Sequence, residues 1–242
     1  MKTALMSLVV VAVAGVPGVA SAATVSVENG AAVYRAAPRE VNTPSLVSAF
    51  PASYTDATAP LFAGAGCVSG PPVVCADVYA GTYYLGDKAD SANIDNWMGD
   101  TVIDGGDGPD NITGGAVGHV TVTGGNGNDT IWVNANARGR GDGGSGDDRI
   151  LGTSGSDWIT GGDGADLLTD RHTRGSAILD GGDGPDRLVG SPSASLTGGS
   201  GQDILVANND GESLDGGPGA DRITSVAGGS TILGGTGGDQ VD

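Results

Sequence analysis

Aliphatic residues recur in the second half of the chain at a fixed distance from a pair of glycines. The repeating unit is a nonapeptide, G-G-x-G-x-D-x-U-x, in which U is a large aliphatic residue two places after an aspartate. Eight copies keep both leading glycines, the third glycine and the aspartate: residues 105–113, 124–132, 143–151, 161–169, 181–189, 198–206, 216–224 and 234–242. They recur every 17 to 20 residues, close to twice nine. The period predicts a coil with one such turn and one weaker turn on the opposite side.

The aliphatic positions form two series, one for each side of the coil. The series after the aspartate contains Ile112, Ile131, Ile150, Leu168, Leu188, Leu205, Ile223 and Val241. The series two places before each glycine pair contains Ile103, Val122, Ile159, Leu179, Leu196, Leu214 and Ile232, with Gly141 as the one gap. A three-residue strand cannot bury its apolar side chain alone, so stacked neighbours must supply the core. We therefore predict an all-β fold, a parallel β-roll (β-solenoid) of nonapeptide repeats with a thin core between two short sheets.

The amino-acid composition indicates that such a roll needs a stabilising ligand. The chain has 242 residues, 46 of them glycine, and a formal net charge of −18. Glycine loses more conformational freedom on folding than any other residue, and a glycine- and aspartate-rich chain is disordered unless something stabilises it. The negative charge argues against nucleic acid and anionic membranes as partners and suits hard cations, which bind oxygen ligands. A bound metal ion is the expected stabiliser.

Calcium fits the repeat better than magnesium does. Ca²⁺ takes six to eight oxygen ligands, whereas Mg²⁺ demands a smaller octahedral shell. One loop cannot offer that many oxygens, but two stacked loops can, so we expect the ions between successive coils. Eight strong turns leave seven gaps, which predicts up to about seven ions on the strong face. The weaker side has one good loop, residues 152–160 (GTSGSDWIT), and is expected to bind little or nothing.

The region from residue 105 to residue 242 resembles the RTX, or hemolysin-type, calcium-binding repeat of secreted bacterial proteins, including actinobacterial ones. In that family the loop aspartates and backbone carbonyl groups hold Ca²⁺. Carried over by position, the resemblance implicates the sixth-position residues Asp110, Asp129, Asp148, Asp166, Asp186, Asp203, Asp221 and Asp239. It also implicates Asp157 on the weaker side and, at the third position of the loop, Asp107, Asn126, Asp163 and Asp183.

The first 22 residues predict a signal peptide, because Lys2 precedes an apolar run and Ala20-Ser21-Ala22 matches an A-x-A cleavage site. Residues 23–85 alternate small apolar and polar residues between prolines, which predicts a β-rich cap, and residues 86–242 form the roll. Residues 86–94 already look like a decayed turn, with Lys88 in place of glycine. Export favours a disulfide between the only two cysteines, Cys67 and Cys75, over a metal pair.

Catalytic motifs are missing from the sequence. There is no H-E-x-x-H motif of zinc proteases and no G-x-S-x-G motif of lipases, and the spacing of Glu28, Glu40 and Asp56 supports no glycosidase pair. We therefore expect a protein without enzymatic activity: a secreted, extracellular calcium-binding protein that folds on Ca²⁺ binding and acts as a structural or binding module, without membrane insertion. The alternative is a fragment or relative of a secreted enzyme or toxin whose catalytic domain is absent. A cell-surface or polysaccharide partner stays open, and outward-facing Trp132 and Trp158 are candidates to contact one.

Overall fold

The computed structural model describes residues 23–242 except for 43, 50–51, 57–60, 64–66, 69–72, 76–79, 98, 136–137, 154–156, 172–175 and 227. The predicted signal peptide lies outside the described residues. Every regular element described is a β-strand. No helix of the described residues has both the length and the apolar character needed to cross a membrane.

The strands fall into an N-terminal group and a longer repetitive group. The first group comprises β1 (Ala23–Glu28), β2 (Ala31–Arg35), β3 (Pro44–Ala49), β4 (Ala52–Asp56), β5 (Leu61–Ala63), β6 (Cys67–Val68) and β7 (Val73–Cys75). The second comprises β8 (Ala80–Asp87), β9 (Ser91–Trp97), β10 (Asp100–Asp107), β11 (Asn111–Ala116), β12 (His119–Asn126), β13 (Thr130–Ala135), β14 (Arg138–Ser145), β15 (Arg149–Gly152), β16 (Trp158–Asp163), β17 (Leu167–Asp170), β18 (Ile178–Asp183), β19 (Arg187–Val189), β20 (Ser195–Ser200), β21 (Ile204–Ala207), β22 (Ser213–Asp215), β23 (Pro218–Gly219), β24 (Arg222–Ser225), β25 (Thr231–Leu233), β26 (Thr236–Gly237) and β27 (Gln240–Val241).

The repetitive group winds into two parallel sheets, which confirms the predicted β-roll. Sheet A stacks β8, β10, β12, β14, β16, β18, β20, β22 and β25, and sheet B stacks β9, β11, β13, β15, β17, β19, β21, β24 and β27. The chain alternates between the sheets, passing from sheet A to sheet B through each strong turn. Each strong turn therefore lies directly over the strong turn of the neighbouring coil.

Both predicted aliphatic series point into the core. From Ile103 to Leu214 on sheet A and from Ile112 to Ile223 on sheet B, these side chains are at most 1% exposed. Val241 is the exception in sheet B, and the prediction that it lies in the core is wrong. Its side chain is 52% exposed because β27 pairs with β24 alone. Ile232 in β25 is only half-buried.

Gly141, the gap in the sheet A series, is filled from the facing sheet. It stands in register between Val122 and Ile159, where its neighbours carry large side chains. A Cβ added to Gly141 would approach methyl groups of Val133 and Ile150 to about 3 Å. Val133 is fully buried. The missing side chain on one sheet is thus compensated by an additional valine on the other.

Antiparallel strand pairs of the N-terminal group extend the first edge of each sheet, and the strand of each pair that meets the roll joins it in parallel. β1 and β2 form a hairpin through Asn29 and Gly30, both with positive φ, and β2 pairs with β8 of sheet A. β3 pairs with β9 of sheet B and is followed by antiparallel β4, β7 and β6. The boundary predicted between residues 85 and 86 falls inside β8, whose whole length pairs with β10.

The cysteines lie among these antiparallel strands. Cys67 is disulfide-bonded, and Cys75, the only other cysteine of the sequence, is its register partner across β6 and β7. This is the arrangement that the predicted bridge requires.

Candidate metal centre

The sixth-position aspartates form a continuous buried row along the strong turns. From Asp110 to Asp221 these side chains are at most 3% exposed. In each, Oδ1 accepts a hydrogen bond from the backbone N–H of the ladder aspartate one coil earlier, with N···O distances of 2.7–2.9 Å up to Asp221 and 3.2 Å at Asp239. We call this row the aspartate ladder.

The second carboxylate oxygen of the ladder residues has no partner of its own. Seven buried Oδ2 atoms accept no hydrogen bond from any described residue: those of Asp110, Asp129, Asp148, Asp166, Asp186, Asp203 and Asp221. Native proteins satisfy nearly all buried polar atoms, and an unsatisfied buried charged group is strongly destabilising. A row of seven such atoms therefore indicates a ligand, and a cation is the ligand that a carboxylate oxygen accepts.

The first glycine of each repeat leaves room for these oxygens. A Cβ added at Gly143 would overlap Asp148 Oδ2 and the carbonyl oxygen of Gly161 in the next coil. Corresponding pairs of oxygens flank the first glycine in every coil from Gly105 to Gly216. Each of the seven gaps between strong turns thus brings together an unpartnered carboxylate oxygen and a backbone carbonyl from the neighbouring coil. This is an all-oxygen setting of the kind that Ca²⁺ prefers.

The second and third glycines set the stacking distance of the loops. Gly144 and Gly146 have φ values of 105° and 130°, a left-handed backbone that a side chain rarely adopts. A Cβ at either position would overlap the carbonyl oxygen of Gly125 or Gly127 in the preceding coil. The loops can therefore stack closely enough to share ions only if these positions stay glycine.

Burial raises the pKa of the ladder carboxyl groups. Loss of hydration raises the pKa of Asp110, Asp148 and Asp186 to about 7, and neighbouring carboxylates of the ladder add to the increase. The pKa values of Asp129, Asp166 and Asp203 are raised by the same desolvation. In the absence of a cation, the ladder therefore stores unfavourable charge that a divalent ion would neutralise.

The third-position candidates lie on the rim rather than in the buried row. Asp107, Asn126, Asp163 and Asp183 all have exposed side chains. Asn126 Nδ2 donates a hydrogen bond of 2.7 Å to Asp107 Oδ1. These residues contribute negative charge and polarity around the loop mouth, while the buried oxygens come from the sixth position.

The weaker side of the coil has no comparable row. Asp157 is buried there and its Oδ1 accepts a hydrogen bond of 3.0 Å from the backbone N–H of Gly139. In the next two coils, Ala177 and Ala194 stand at the position of Asp157. The carbonyl group of each accepts a backbone hydrogen bond from the following coil, as the Asp157 carbonyl does. Glu212 follows one coil later. Asp157 thus has no aspartate at the same position of the next two coils and is not part of a ladder.

Two buried residues at the start of the ladder, Asp90 and Asn42, lie outside the eight nonapeptide copies. Asp90 is 3% exposed, its backbone N–H donates to Asp110 Oδ1, and its own Oδ1 accepts a hydrogen bond of 2.5 Å from the backbone N–H of Asn42. Asn42 is fully buried, accepts from Tyr34 Oη at 3.1 Å and donates to the Leu85 carbonyl at 3.0 Å. The only sequence signal was the decayed turn around Lys88. Asn42 ends the ladder with a neutral amide in place of a carboxylate.

Leu85 distinguishes this first coil from the others. It stands where the repeats have their first glycine, since β8 and β10 pair Tyr84 with Asp104 and Gly86 with Gly106. Its side chain is fully buried. The Asp90 coil therefore lacks the open α-carbon beside the ladder, which fits a terminating coil better than a metal site.

Side-chain ligands alone do not mark these sites. Nowhere in the described parts of the chain do three or more His, Cys, Asp or Glu side chains converge as a metal cluster would require. The ladder offers one buried unpartnered carboxylate oxygen at each gap, and the other candidate ligands are backbone oxygens. A backbone-rich site is expected for a hard cation and would not appear in a search for side-chain clusters.

Comparison with known proteins agrees with the geometry. A family model for the RTX calcium-binding nonapeptide repeat matches four copies, at residues 98–116, 117–137, 142–169 and 195–223. No curated protein matches the chain. The ladder continues through the unmatched stretch between residues 169 and 195, where Asp186 bonds to Asp203 in the same way as its neighbours.

Proposed function

Because this chain carries RTX calcium-binding nonapeptide repeats, we propose that it is a secreted protein that folds outside the cell on binding Ca²⁺ and serves there as a structural or binding module. The row of seven buried, unpartnered Oδ2 atoms carries this proposal. Without cations these oxygens oppose folding, and with cations they join successive coils. Calcium is abundant outside cells, and extracellular calcium modules bind at about 0.1–1 mM.

The ions occupy the seven gaps between the eight strong turns. In each gap the Oδ2 of one ladder aspartate and the first-glycine carbonyl of the next coil act as ligands. The exposed third-position residues Asp107, Asn126, Asp163 and Asp183 add negative potential or complete the shell at the loop mouth. At the last gap, Asp239 Oδ1 accepts a hydrogen bond from the backbone N–H of Asp221. Each ion links two coils, so binding is cooperative along the roll.

Calorimetric titration of residues 23–242 with CaCl₂ tests the ion count. We expect about seven ions per chain, and a value of one or two would contradict the ladder as the binding site. A parallel titration with MgCl₂ should give much weaker heat, because Mg²⁺ gives up its water reluctantly.

Secretion is tested separately from calcium binding. Expression of the full chain in a bacterial host with a secretion pathway should release into the medium a protein that begins at Ala23, as read by mass spectrometry. A protein that stays inside the cell with residues 1–22 still attached would contradict export, while leaving the calcium sites intact. The role as a non-enzymatic module would fail if the calcium-loaded protein turned over substrates in a hydrolase screen.

A further inference from the structure

The outer face of sheet A carries an acidic residue on every second coil. Seven positions stand in register immediately before the glycine pairs: Asp104, Thr123, Asp142, Thr160, Asp180, Thr197 and Asp215. The order alternates strictly between aspartate and threonine. The aspartate side chains of this column are half-buried. Beside the column, the outward side chains of Trp158 and Ile178 are 51% and 43% exposed, and Arg138 and Arg140 are exposed on the same face.

The outer face of sheet B carries an arginine on every second coil. Five positions stand in register immediately after the ladder aspartates: Arg149, Leu167, Arg187, Ile204 and Arg222. All three arginine side chains are exposed. Among the described residues, Arg149 and Arg187 form no ion pair, and Arg222 pairs with exposed Asp242 at 3.3 Å. In a chain of net charge −18, this is a segregated basic and aliphatic face.

The two columns belong to the same coils. Asp142 and Arg149, Asp180 and Arg187, and Asp215 and Arg222 are each separated by one strong turn. Neighbouring strands of a sheet lie about 4.8 Å apart, so both charges repeat about every 10 Å along the roll. The aspartate column and the arginine column are therefore opposite in sign and match in spacing and in position along the roll.

We propose that copies of this chain associate side by side, with the Asp142–Asp180–Asp215 column of one copy against the Arg149–Arg187–Arg222 column of the next. With the acidic coils of one copy level with the arginine coils of its neighbour, three charge pairs form together. A shift by one coil places threonines opposite the arginines and loses all three pairs. A shift by two coils brings Asp104 opposite Arg149 and again forms three pairs, so the alternation restricts the register to even shifts. The exposed apolar side chains beside each column supply the buried area.

The two contacting faces are different, so the contact is heterologous. Each copy that uses its sheet A face leaves its sheet B face free for another copy. The association therefore continues into an open lateral array. This goes beyond calcium binding, although the faces exist only when the roll is folded.

Sedimentation velocity on calcium-saturated residues 23–242, at increasing protein concentration and at low and high NaCl, tests the proposal. The wild type should associate at low salt and dissociate at high salt. The variant R149E/R187E/R222E should stay monomeric, with association weakened at least tenfold. The variant D142K/D180K/D215K should also stay monomeric, and an equimolar mixture of the two variants should associate again because each face then meets its complement.

The control variant R39E/K88E/R171E changes the net charge by the same amount away from both columns and should associate as the wild type does. Circular dichroism in calcium checks that every variant is folded, so a failure of calcium-dependent folding is distinguished from a failure of docking. If D142K/D180K/D215K does not fold, the association of R149E/R187E/R222E and the salt dependence of the wild type test the proposal. A wild type that stays monomeric throughout, or association that survives in R149E/R187E/R222E, would overturn the proposal. So would a monomeric wild type whose arginines instead bind an added acidic polysaccharide.

Discussion

The two turns of each coil border the same core and differ in their polar atoms. On the strong side, a row of buried aspartates runs from Asp90 to Asp221 and ends at half-buried Asp239, and from Gly105 onward glycines keep the neighbouring α-carbons open. On the weak side, Asp157 is followed by Ala177 and Ala194 at the same position. Up to Leu214 and Ile223, the aliphatic residues behind both turns are equally buried. The comparison teaches that the core gives the chain its coil, and that the carboxylate ladder makes one edge of that coil depend on a cation.

Deleting core side chains should affect the two sides equally. Ile150 behind the strong turns and Ile159 behind the weak turns are each at most 1% exposed. Each change to alanine should lower the free energy of unfolding in saturating calcium by about 2–5 kcal/mol, since a buried side chain is replaced by a cavity. Urea denaturation measures both values. Val241→Ala is the control and should change little, because Val241 is 52% exposed. A much larger loss at Ile150 alone would show that the core, too, is asymmetric.

Removing one carboxylate should weaken calcium-dependent folding much more on the strong side than on the weak side. Asp166→Ala deletes a ladder residue whose Oδ1 holds the preceding coil and whose Oδ2 is unpartnered. We expect the calcium concentration at half-folding to rise tenfold or more, which corresponds to about 1.4 kcal/mol or more. Asp157→Ala removes a buried carboxylate of the weak side that belongs to no ladder, and it should shift this midpoint much less. Calcium titration followed by circular dichroism measures both, and equal shifts would contradict the ladder as the site of binding.

Filling the space beside one ladder oxygen should have a somewhat smaller effect. Gly143 does not have positive φ, so Gly143→Ala adds a methyl group without backbone strain, yet that group overlaps Asp148 Oδ2 and the Gly161 carbonyl. We expect the calcium midpoint to rise about fivefold, equivalent to about 1 kcal/mol. Gly228→Ala is the matched control, because a Cβ there meets no atom within 4 Å. Identical midpoints for both variants would mean that the first glycine is not part of a metal site.

Lowering the pH should replace a small part of the effect of calcium. Burial raises the pKa of Asp110, Asp148 and Asp186 to about 7 from an ordinary value of 3.8. The calcium-free roll therefore retains protons that the unfolded chain has lost, and its stability falls as the pH rises from about 4 through 7. Lowering the pH from 8 to 4 should thus shift the calcium-free protein partway towards β-structure. Circular dichroism in EDTA at both pH values measures this gain. A calcium-free protein with no more β-structure at pH 4 than at pH 8 would contradict the raised pKa values of the ladder.

The sequence predicts the repetitive part of the molecule well because each coil repeats the same local chemistry. The aliphatic series and the sixth-position aspartates follow directly from the period, and the structure places both inside. The series stops short at Val241, where exposure depends on a neighbouring strand and not on residue type.

The ends and the details of the ladder depend on tertiary contacts that no local motif encodes. Asn42 reaches the ladder by hydrogen bonds to Asp90 and Leu85, residues more than forty positions away. Asp90 itself was obscured because Leu85 and Lys88 replace two glycines of the motif. The third-position residue Asp107 carries a ligand-type side chain but is exposed on the rim, because the left-handed backbone at Gly106 breaks the alternation of β10 before it.

The central claim is that cations between the strong turns hold this roll together. Circular dichroism of residues 23–242 during a calcium titration, followed by excess EDTA, tests it most directly. The account predicts a disordered spectrum without calcium, a cooperative gain of β-structure as calcium is added, and its complete loss on chelation. A protein equally ordered in excess EDTA would contradict it.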